Sequence, residues 1–509
     1  MIFKQLGCLY LFACSLTCVA QTYKPATFTD LERQEKIAAV FPLIDKIYKE
    51  FAEKNHWPGT AYGLVVDGKL VHKSGIGYTD IANKIAVTPK SVFRIASMTK
   101  SFTAMAILKL RDEGKLKLDD PAYLYIPEMK AIKYPGKDAT PITIRHLLTH
   151  GAGFPEDNPW GDRQLAVSDS ELMSIYKNGV SMSTIPGKGY EYSNLGFATL
   201  GYIIKNVSGK TYQAYITENI LKPLGMRHTY WEYSDVPKNL LALGYRWIDN
   251  NWTEQPMLHD GAYGAMGGLL TSIEDFNLYL SLHLNAWPER DDEDLGPIKR
   301  NAIREMSNPW NMGDMNLNAK LTTGKPCPVI SAYGYGIRWV RNCDNIVYAG
   351  HTGGLPGFGS QWNILPEYGI GIISFANLTY ANSGYVNKQV LDTIIALTGI
   401  KPRLLPASAI LETRKNELVK TILNWDNAAN SGIFAGNFFM DYFPDRLKRE
   451  TAEAFAQAGK RVSIGELVAE NQLRVYFIMK HEKARIKISF TLTPENPPLI
   501  QEYRMEVLK

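Results

Sequence analysis

Apolar positions recur at helical spacing in two stretches of the N-terminal third of the chain, residues 30–55 and 102–113. This period predicts two helices that each bury one face. Between them, apolar runs at 61–66 and 70–75 flank Asp67-Gly68, a dipeptide typical of a tight hairpin. A helix, a hairpin and a second helix predict an antiparallel sheet with helices packed against it.

The rest of the chain divides into three regions by its pattern. Residues 118–310 are rich in helix and loop signals, residues 360–377 contain two strand-like runs, and residues 399–406 form a Pro-containing linker. Beyond the linker, a helix-rich segment precedes three segments that alternate like antiparallel strands: 472–480, 484–492 and 500–508. We therefore predict a main domain over residues 21–400 and a separate α+β domain over 405–509, in which no cluster of catalytic side chains is evident.

Length, charge and glycine pattern exclude several classes of function. The 509 residues exceed what one hydrophobic core usually serves, which favours a large domain with an appendage. The formal net charge of +5 is small for this length and no segment concentrates lysine and arginine, so nucleic acid is not an expected partner. Because no glycine-rich phosphate loop follows a predicted strand, we expect no nucleotide cofactor.

The first twenty residues have the pattern of a leader. Lys4 precedes an apolar run that begins at Leu6, and Cys18-Val19-Ala20 precedes Gln21. This predicts a secretory signal peptide over residues 1–20 and an exported protein, periplasmic or secreted. Two alternatives stay open: the segment could remain as an uncleaved anchor, or Cys14 could be lipidated and tether the protein to a membrane.

Two of the five cysteines lie outside the leader. Cys327 and Cys343 flank a strand-like segment at residues 333–340, and an exported protein meets an oxidising compartment. A disulfide and two free thiols are both compatible with the sequence, because pairing depends on a geometry that the sequence does not give.

The first chemical motif is Ser-x-x-Lys at the start of the second helix. Ser97 and Lys100 are three residues apart, so their side chains share one helix face with Cβ atoms about 5–6 Å apart. That spacing suits a hydroxyl and an amine that helps to deprotonate it. The helix N-terminus also favours developing negative charge on the serine. Ser174 and Lys177 repeat the spacing in a polar stretch, which we interpret as a chance match.

A second motif, Tyr-x-Asn, lies on a glycine-bounded loop. From such a loop Tyr192 and Asn194 can both point into a cleft, the phenol to relay a proton and the amide to hold a substrate carbonyl. The spacing recurs at Tyr380-Ala381-Asn382 and Tyr385-Val386-Asn387. Those segments lack the glycines and the following helix, so we interpret them as chance matches.

A third motif, His351-Thr352-Gly353-Gly354, leads a glycine-rich strand. Such a strand lets a substrate backbone lie against its edge and offers N–H groups that no side chain obstructs. His259-Asp260-Gly261 shares the His-x-Gly pattern, but no paired strands follow it.

His146 and His150 have the four-residue spacing of a metal pair. No glutamate lies between them as in the HExxH pattern, and no third ligand is evident. We therefore interpret both as structural histidines and expect no metal site.

In the order Ser-x-x-Lys, Tyr-x-Asn and His-Thr-Gly, the three motifs resemble those of the penicillin-recognising serine hydrolases, a family of class C β-lactamases, DD-peptidases, D-aminopeptidases and related esterases. The resemblance covers about residues 30–400 and includes the segments 93–97, 144–150 and 222–226. It implies an α/β (α+β) β-lactamase/transpeptidase-like sandwich with an antiparallel sheet, an inserted all-helical region and an active site between them.

The resemblance also implies roles for the motif residues. Ser97 would be the nucleophile, with Lys100 and Tyr192 as its proton-transfer partners. The backbone N–H groups of Ser97 and Gly354 would form the oxyanion hole. The substrate would be bound by Asn194, His351, Thr352 and Gly353, and His351 could also assist proton transfer. A free lysine and a free tyrosine both have a pKa of about 10, so one must be shifted to act as base, and the sequence leaves open which one.

The third motif departs from the Lys-Thr-Gly of many family members. In those proteins a permanent cation pairs with the substrate carboxylate, whereas His351 is expected to be only partly charged near pH 7. The sequence therefore favours amine-bearing peptides, amides or esters over β-lactam or D-Ala-D-Ala carboxylates.

Our hypothesis from the sequence is an exported serine hydrolase that forms a Ser97 acyl-enzyme on an amide or peptide bond, as a D-amino-acid peptidase or DD-peptidase does. Its substrate would be a small molecule or a peptide, including peptides derived from a cell wall. Two alternatives stay open: a carboxylesterase or β-lactamase-like hydrolase of the same family, and a penicillin-binding sensor without turnover. The oligomeric state stays open as well.

Overall fold

The computed structural model describes residues 23–158 and 160–508, and the signal-peptide and Cys14 hypotheses concern residues outside this part of the chain. The described residues divide into two compact units, Phe28–Arg403 and a second unit formed by residues 23–27 and 404–508. None of the helices in the described ranges is long and apolar enough to cross a membrane.

The described part of the chain contains eighteen strands and fifteen α-helices. The strands are β1 (Gly59–Val66), β2 (Lys69–Asp80), β3 (Ile85–Ala86), β4 (Phe93–Arg94), β5 (Gly244–Ile248), β6 (Asn251–Gln255), β7 (Leu270–Thr271), β8 (Asn311–Asn316), β9 (Val329–Tyr333), β10 (Arg338–Arg341), β11 (Val347–Leu355), β12 (Phe358–Leu365), β13 (Ile370–Ala376), β14 (Arg461–Ile464), β15 (Val468–Ala469), β16 (Arg474–His481), β17 (Arg485–Leu492) and β18 (Ile500–Leu508). The helices are α1 (Arg33–Ala38), α2 (Phe41–Lys54), α3 (Thr99–Asp112), α4 (Ile144–Leu148), α5 (Asp169–Asn178), α6 (Asn194–Ser208), α7 (Tyr212–Ile216), α8 (Lys222–Leu224), α9 (Gly264–Gly267), α10 (Ile273–Leu284), α11 (Arg300–Met306), α12 (Ser383–Thr398), α13 (Ala409–Ile422), α14 (Phe438–Asp441) and α15 (Pro444–Ala458).

A nine-stranded antiparallel sheet is the framework of the first unit, with strand order β3-β2-β1-β13-β12-β11-β10-β9-β8. Strand β1 is buried along its whole length because helices cover both sheet faces, which explains its almost continuously apolar sequence. Val66 pairs with Lys69 across Asp67-Gly68, and both turn residues have positive φ. The hairpin predicted from that dipeptide is therefore confirmed.

Helices form a layer on each side of this sheet. Helix α10 packs against β1 and β13, and α12 packs against β12 and β13. Helix α3 lies in the larger core, where Phe102 stacks on Tyr279 of α10 with ring centroids 3.8 Å apart. Helices α4 to α9 lie between β4 and β7 in the chain, together with the two-stranded sheet β5-β6. The inserted region is therefore mostly helical and not all-helical as expected. The predicted fold class, a β-lactamase/transpeptidase-like sandwich with an antiparallel sheet, is confirmed.

The N-terminal helix expected over residues 30–55 is two helices, α1 and α2, which meet at residues 39–40. Pro42 lies in the first turn of α2. Proline has no N–H to donate to the preceding turn, so it begins α2 but cannot continue α1. Apolar spacing alone did not distinguish one helix from two.

The second unit has its own sheet and core. The predicted strands at 472–480, 484–492 and 500–508 are present as β16, β17 and β18 in a sheet of order β14-β16-β17-β18, with β15 paired to β16. Helices α13 to α15 supply the remaining core residues, including Leu418 and Leu447.

Cys327 and Cys343 form a disulfide, with Cα atoms 5.1 Å apart. It joins the residues just before β9 to those just after β10. The pairing left open by the sequence is thus present, and it closes the open end of the β9–β10 hairpin.

Candidate active site

Ser97 lies on a short 3-10 turn, Ala96–Met98, that leads directly into α3. Ala96 has φ of +49°, a conformation rarely adopted by residues with a Cβ and found mostly at functional sites. Strand β11 crosses this turn so closely that a Cβ on Gly353 would lie 2.1 Å from the Ile95 carbonyl oxygen. The glycine of the third motif therefore allows β11 to lie beside the turn that carries Ser97.

Lys100 lies one turn along α3 and is fully buried. Its Nζ lies 3.0 Å from Ser97 Oγ, 2.7 Å from Asn194 Oδ1 and 2.9 Å from the Met266 carbonyl oxygen. The last two atoms can only accept hydrogen bonds, so a neutral amine gives them its two N–H groups. Its lone pair is then left for the Ser97 hydroxyl proton.

Burial lowers the pKa of Lys100 to about 7, while the charges of Asp162 and Asp157 oppose this shift. A substantial fraction of the amine is therefore neutral near pH 7. Burial instead raises the pKa of Tyr192, so its phenol stays protonated near neutral pH, although Arg338 and Ser97 oppose that shift. Of the two candidate bases, the electrostatics favour Lys100.

The Tyr192 ring lies close to two basic side chains. Lys100 Nζ is 4.9 Å from the centre of its ring and Arg338 Cζ is 5.4 Å from it. The ring also lies against His150, with centroids 4.3 Å apart. These contacts hold the phenol beside the Ser97–Lys100 pair, where it can donate a proton.

Asn194 is the first residue of α6 and is fully buried, rather than lying on a loop with its amide free. Its Oδ1 accepts from Lys100, and its Nδ2 donates to Asn158 Oδ1. Ser193 and Asp157 cap the helix start. Asn194 therefore positions Lys100, and in this arrangement its amide is not free for the substrate contact that the resemblance implied.

His351 is also buried, and both ring nitrogens contact protein groups. Nδ1 lies 2.5 Å from the Thr352 carbonyl oxygen, which can only accept, so Nδ1 carries the proton. Nε2 then accepts from the Tyr333 hydroxyl at 2.8 Å. Burial lowers the pKa of His351 well below its usual value, so the ring is neutral at pH 7 rather than partly charged as expected. In this geometry both ring nitrogens pair with protein groups of β9 and β11, and substrate binding by His351 stays a prediction.

A cleft of about 550 Å³ opens above Ser97. Its lining includes four of the predicted residues, Ser97, Tyr192, Thr352 and Gly354, and six others: Glu156, Asn158, Asp162, Tyr190, Arg338 and Tyr380. The buried Asp162 carboxylate accepts from the Tyr380 hydroxyl at 3.0 Å. The Tyr380 ring lies over Gly354, where an added Cβ would be 2.8 Å from Tyr380 Cδ1.

The β11 edge at this cleft is open. Strand β10 pairs with β11 only from Arg338–Gly350 to Arg341–Val347, whereas β12 pairs with β11 as far as Leu355. The stretch from Thr352 to Gly354 therefore has a strand partner on one side only. A substrate main chain can add along this free edge, as the glycine-rich motif predicted.

Arg338 supplies a permanent cation to the cleft. Its guanidinium lies over the Tyr192 ring and beside the phenols of Tyr190 and Tyr333, which favour its charged form. Among the described residues, no carboxylate forms an ion pair with it. Arg338 therefore brings to the cleft a cation that the third motif itself does not contain.

The family model described as Beta-lactamase matches residues 44–395. The chain belongs to the beta-lactamase family. Protein flp of Staphylococcus aureus (strain N315) is 32% identical over 354 residues, which are 68% of this chain and 64% of that protein. Unguisins hydrolase ungD' of Aspergillus campestris (strain IBT 28561) is 26% identical over 353 residues, 66% of this chain and 62% of that protein. The chain thus spans less than two thirds of the length of these relatives.

Two solved structures share the fold of this beta-lactamase family member. The octameric penicillin-binding protein homologue from Pyrococcus abyssi has a TM-score of 0.60 at 22% identity, covering 91% of this chain and 99% of that chain. A penicillin binding protein from Bacillus halodurans has a TM-score of 0.54 at 24% identity, covering 70% and 98%. The family and its hydrolase relative support a serine hydrolase.

Several residues that line the cleft were not predicted from the sequence, because they come from elements far apart in the chain. Tyr380, which we interpreted as part of a chance match, lines the cleft and has φ of +53°. Arg338 belongs to the segment between the two cysteines, where nothing in the residue pattern distinguishes it. Asp162 lies on a 3-10 turn without a recognisable motif.

The second Ser-x-x-Lys match and the two histidines at metal-pair spacing make other contacts. Ser174 donates to the Glu171 carbonyl oxygen on α5, and Lys177 is exposed, so they do not form a Ser–Lys pair. His146 and His150 each accept from a main-chain N–H, of Thr143 and Ser193 respectively. These contacts are those of structural histidines.

Proposed function

We propose that this serine hydrolase cleaves an amide or peptide bond through a Ser97 acyl-enzyme, and that its substrate is a small peptide with a free carboxylate next to the scissile bond. The observation that supports this most strongly is the buried Lys100 amine, 3.0 Å from Ser97 Oγ and with a pKa of about 7. A base of that pKa, held by two fixed acceptors, is suited to activate a hydroxyl near neutral pH.

In the proposed acylation, one bond to the carbonyl carbon forms and one breaks. Ser97 Oγ bonds to the substrate carbonyl carbon while its proton moves to Lys100 Nζ. The carbonyl oxygen becomes an oxyanion that the N–H groups of Ser97 and Gly354 stabilise. The bond to the leaving amine breaks as that amine takes a proton from the Tyr192 phenol, which Lys100 reprotonates. Water reverses these transfers in deacylation and releases the acid.

Arg338 supports the choice of a substrate with a carboxylate. Its guanidinium borders the same cleft as Ser97 and lacks an acidic partner among the described residues. Arginine binds carboxylates through paired N–H groups. This favours a DD-peptidase-like carboxypeptidase over the amine-selective peptidase that the sequence favoured, with a carboxylesterase or β-lactamase as the alternative within the family.

Export is part of the proposal and rests on the leader-like residues 1–20 alone. The supporting pattern is the apolar run and the small residues before Gln21. N-terminal sequencing of the mature protein from an expressing cell tests it. A mature chain that begins at Gln21 agrees, a lipidated Cys14 supports the tethered alternative, and an intact leader contradicts cleavage.

A paired-substrate assay tests the reaction. We expect a peptide ending in D-Ala-D-Ala with a free carboxylate to be hydrolysed with at least about tenfold higher kcat/KM than its C-terminal amide, because a charge-assisted hydrogen bond contributes about 1.5–3 kcal/mol. Arg338→Gln should remove this preference. Arg341→Gln, at the other end of β10, is the matched control.

Equal hydrolysis of the two peptides would contradict carboxylate recognition. Turnover of short acyl esters or a cephalosporin alone would support the alternative enzymes. Labelling of Ser97 by a fluorophosphonate or a fluorescent penicillin, without turnover of any substrate in the panel, would support the sensor.

A further inference from the structure

A second cavity, of about 180 Å³, lies between strands β10 to β12 and the first turns of α12. Arg338 and Thr352 line both this cavity and the catalytic cleft. Its apolar wall consists of Val329, Val340 and Tyr348. The reaction proposed above uses none of these three side chains.

Two amide side chains of β12, Gln361 and Asn363, line the same cavity. Gln361 is only 8% exposed, and its Oε1 is buried without a hydrogen-bond partner among the described residues. Buried amide groups are almost always paired, because an unpaired one loses its bonds to water without replacement. An N–H group from a ligand would pair with this amide.

The charges around the cavity favour a neutral ligand group. Lys388, at the rim, forms an ion pair with Asp392 at 2.5 Å, so its charge is already compensated. Arg338 lines both the cavity and the cleft and is assigned to the substrate carboxylate. At about 30 Å³ for each water-sized group, the cavity holds about six non-hydrogen atoms.

We propose that this cavity is a specificity pocket for the side chain of the substrate residue that carries the free carboxylate, and that it selects a short aliphatic chain ending in a carboxamide. The inference rests on the proposed function, because a carboxylate on Arg338 places its own side chain at the mouth of the cavity. The aliphatic part contacts Val340 and Tyr348, and the carboxamide pairs with Gln361.

Four peptides that share one acyl part and end in D-glutamine, D-homoleucine, D-glutamate or D-alanine test this selection. All keep the free α-carboxylate, and the first three have side chains of similar size. We expect wild-type kcat/KM to be about tenfold higher for D-glutamine than for D-homoleucine or D-glutamate. Equal values for the three would overturn the inference.

Two variants test whether the cavity is responsible. Gln361→Leu should bring the D-glutamine to D-homoleucine ratio close to one. Gly384→Ala places a methyl group 3.2 Å from Gln361 Nε2, so it should lower the ratio of D-glutamine to D-alanine without removing any polar group. Gln389→Leu, the same substitution on α12 outside the cavity lining, is the matched control. If each variant left its own ratio at the wild-type value, that result would contradict the assignment.

The outcomes distinguish this inference from the proposed function. Hydrolysis of all four peptides without side-chain preference overturns only the pocket. Hydrolysis of p-nitrophenyl acetate without hydrolysis of any of the peptides overturns both, and it shows that the Ser97 machinery itself is active.

Discussion

The pH dependence of acylation is the sharpest consequence of the buried Lys100. The usual lysine pKa of 10.5 is lowered to about 7 by burial. At pH 7 the neutral fraction of the amine therefore rises from roughly 3 in 10⁴ to about one half, a gain of about 10³-fold in active base. Without this shift, Lys100 would be an ammonium ion with no lone pair for the Ser97 proton.

We expect kcat/KM for a neutral ester to rise about tenfold per pH unit below pH 6 and to level off above pH 8, with an apparent pKa of about 7. A neutral ester is required so that the substrate does not titrate. A limb centred near pH 10 would show an unshifted lysine and would refute the reasoning. A flat profile from pH 5 to pH 9 would show that Lys100 is not the base.

Substitution of Asp162 tests the pKa of Lys100 in a second way. Its charge raises the pKa of Lys100 and so opposes the effect of burial. Asp162→Asn keeps the acceptor for Tyr380 but removes the charge, so the acid limb should move to lower pH. Asp169→Asn, on the exposed start of α5, is the control and should leave the limb in place. A shift to higher pH in Asp162→Asn would contradict the assigned sign.

Three further predictions concern the site and its support. Ser97→Ala should lower kcat/KM by at least about 10³-fold with unchanged thermal melting, and activity near the wild-type level would exclude Ser97 as nucleophile. Gly353→Ala should lower kcat/KM at least about tenfold, since its methyl group would lie 2.1 Å from the Ile95 carbonyl oxygen beside Ser97, and normal activity would contradict that approach. Reduction of the Cys327–Cys343 disulfide, which closes a 16-residue separation, should destabilise the chain by up to about 3 kcal/mol, and an unchanged melting temperature in reductant would show that the bond is absent or neutral.

The sequence predicted those parts of the site that depend on local spacing. Ser97 and Lys100 are one helical turn apart, so their proximity follows from helix geometry. Tyr192 and Gly354 were found because their motifs are short and have glycine neighbours. The turn at Asp67-Gly68 was predicted for the same reason, since a two-residue loop determines its own conformation.

Other features depend on contacts between distant segments. Arg338 reaches the cleft because β10 pairs with β11 in one register, and Asp162 meets Tyr380 across 218 positions of the chain. Neither contact leaves a local pattern in the sequence. The hydrogen-bond partners of Asn194 and His351 were not predicted either, because burial and neighbouring acceptors determine which polar atoms stay free, and residue type alone does not give this.

The most direct test of the central claim is rapid-quench mass spectrometry during turnover of an acyl ester, followed by peptide mapping. We predict an acyl adduct confined to the peptide that contains Ser97, formed by wild type and absent in Ser97→Ala. Turnover with no adduct, or with the adduct on another residue, would contradict the account.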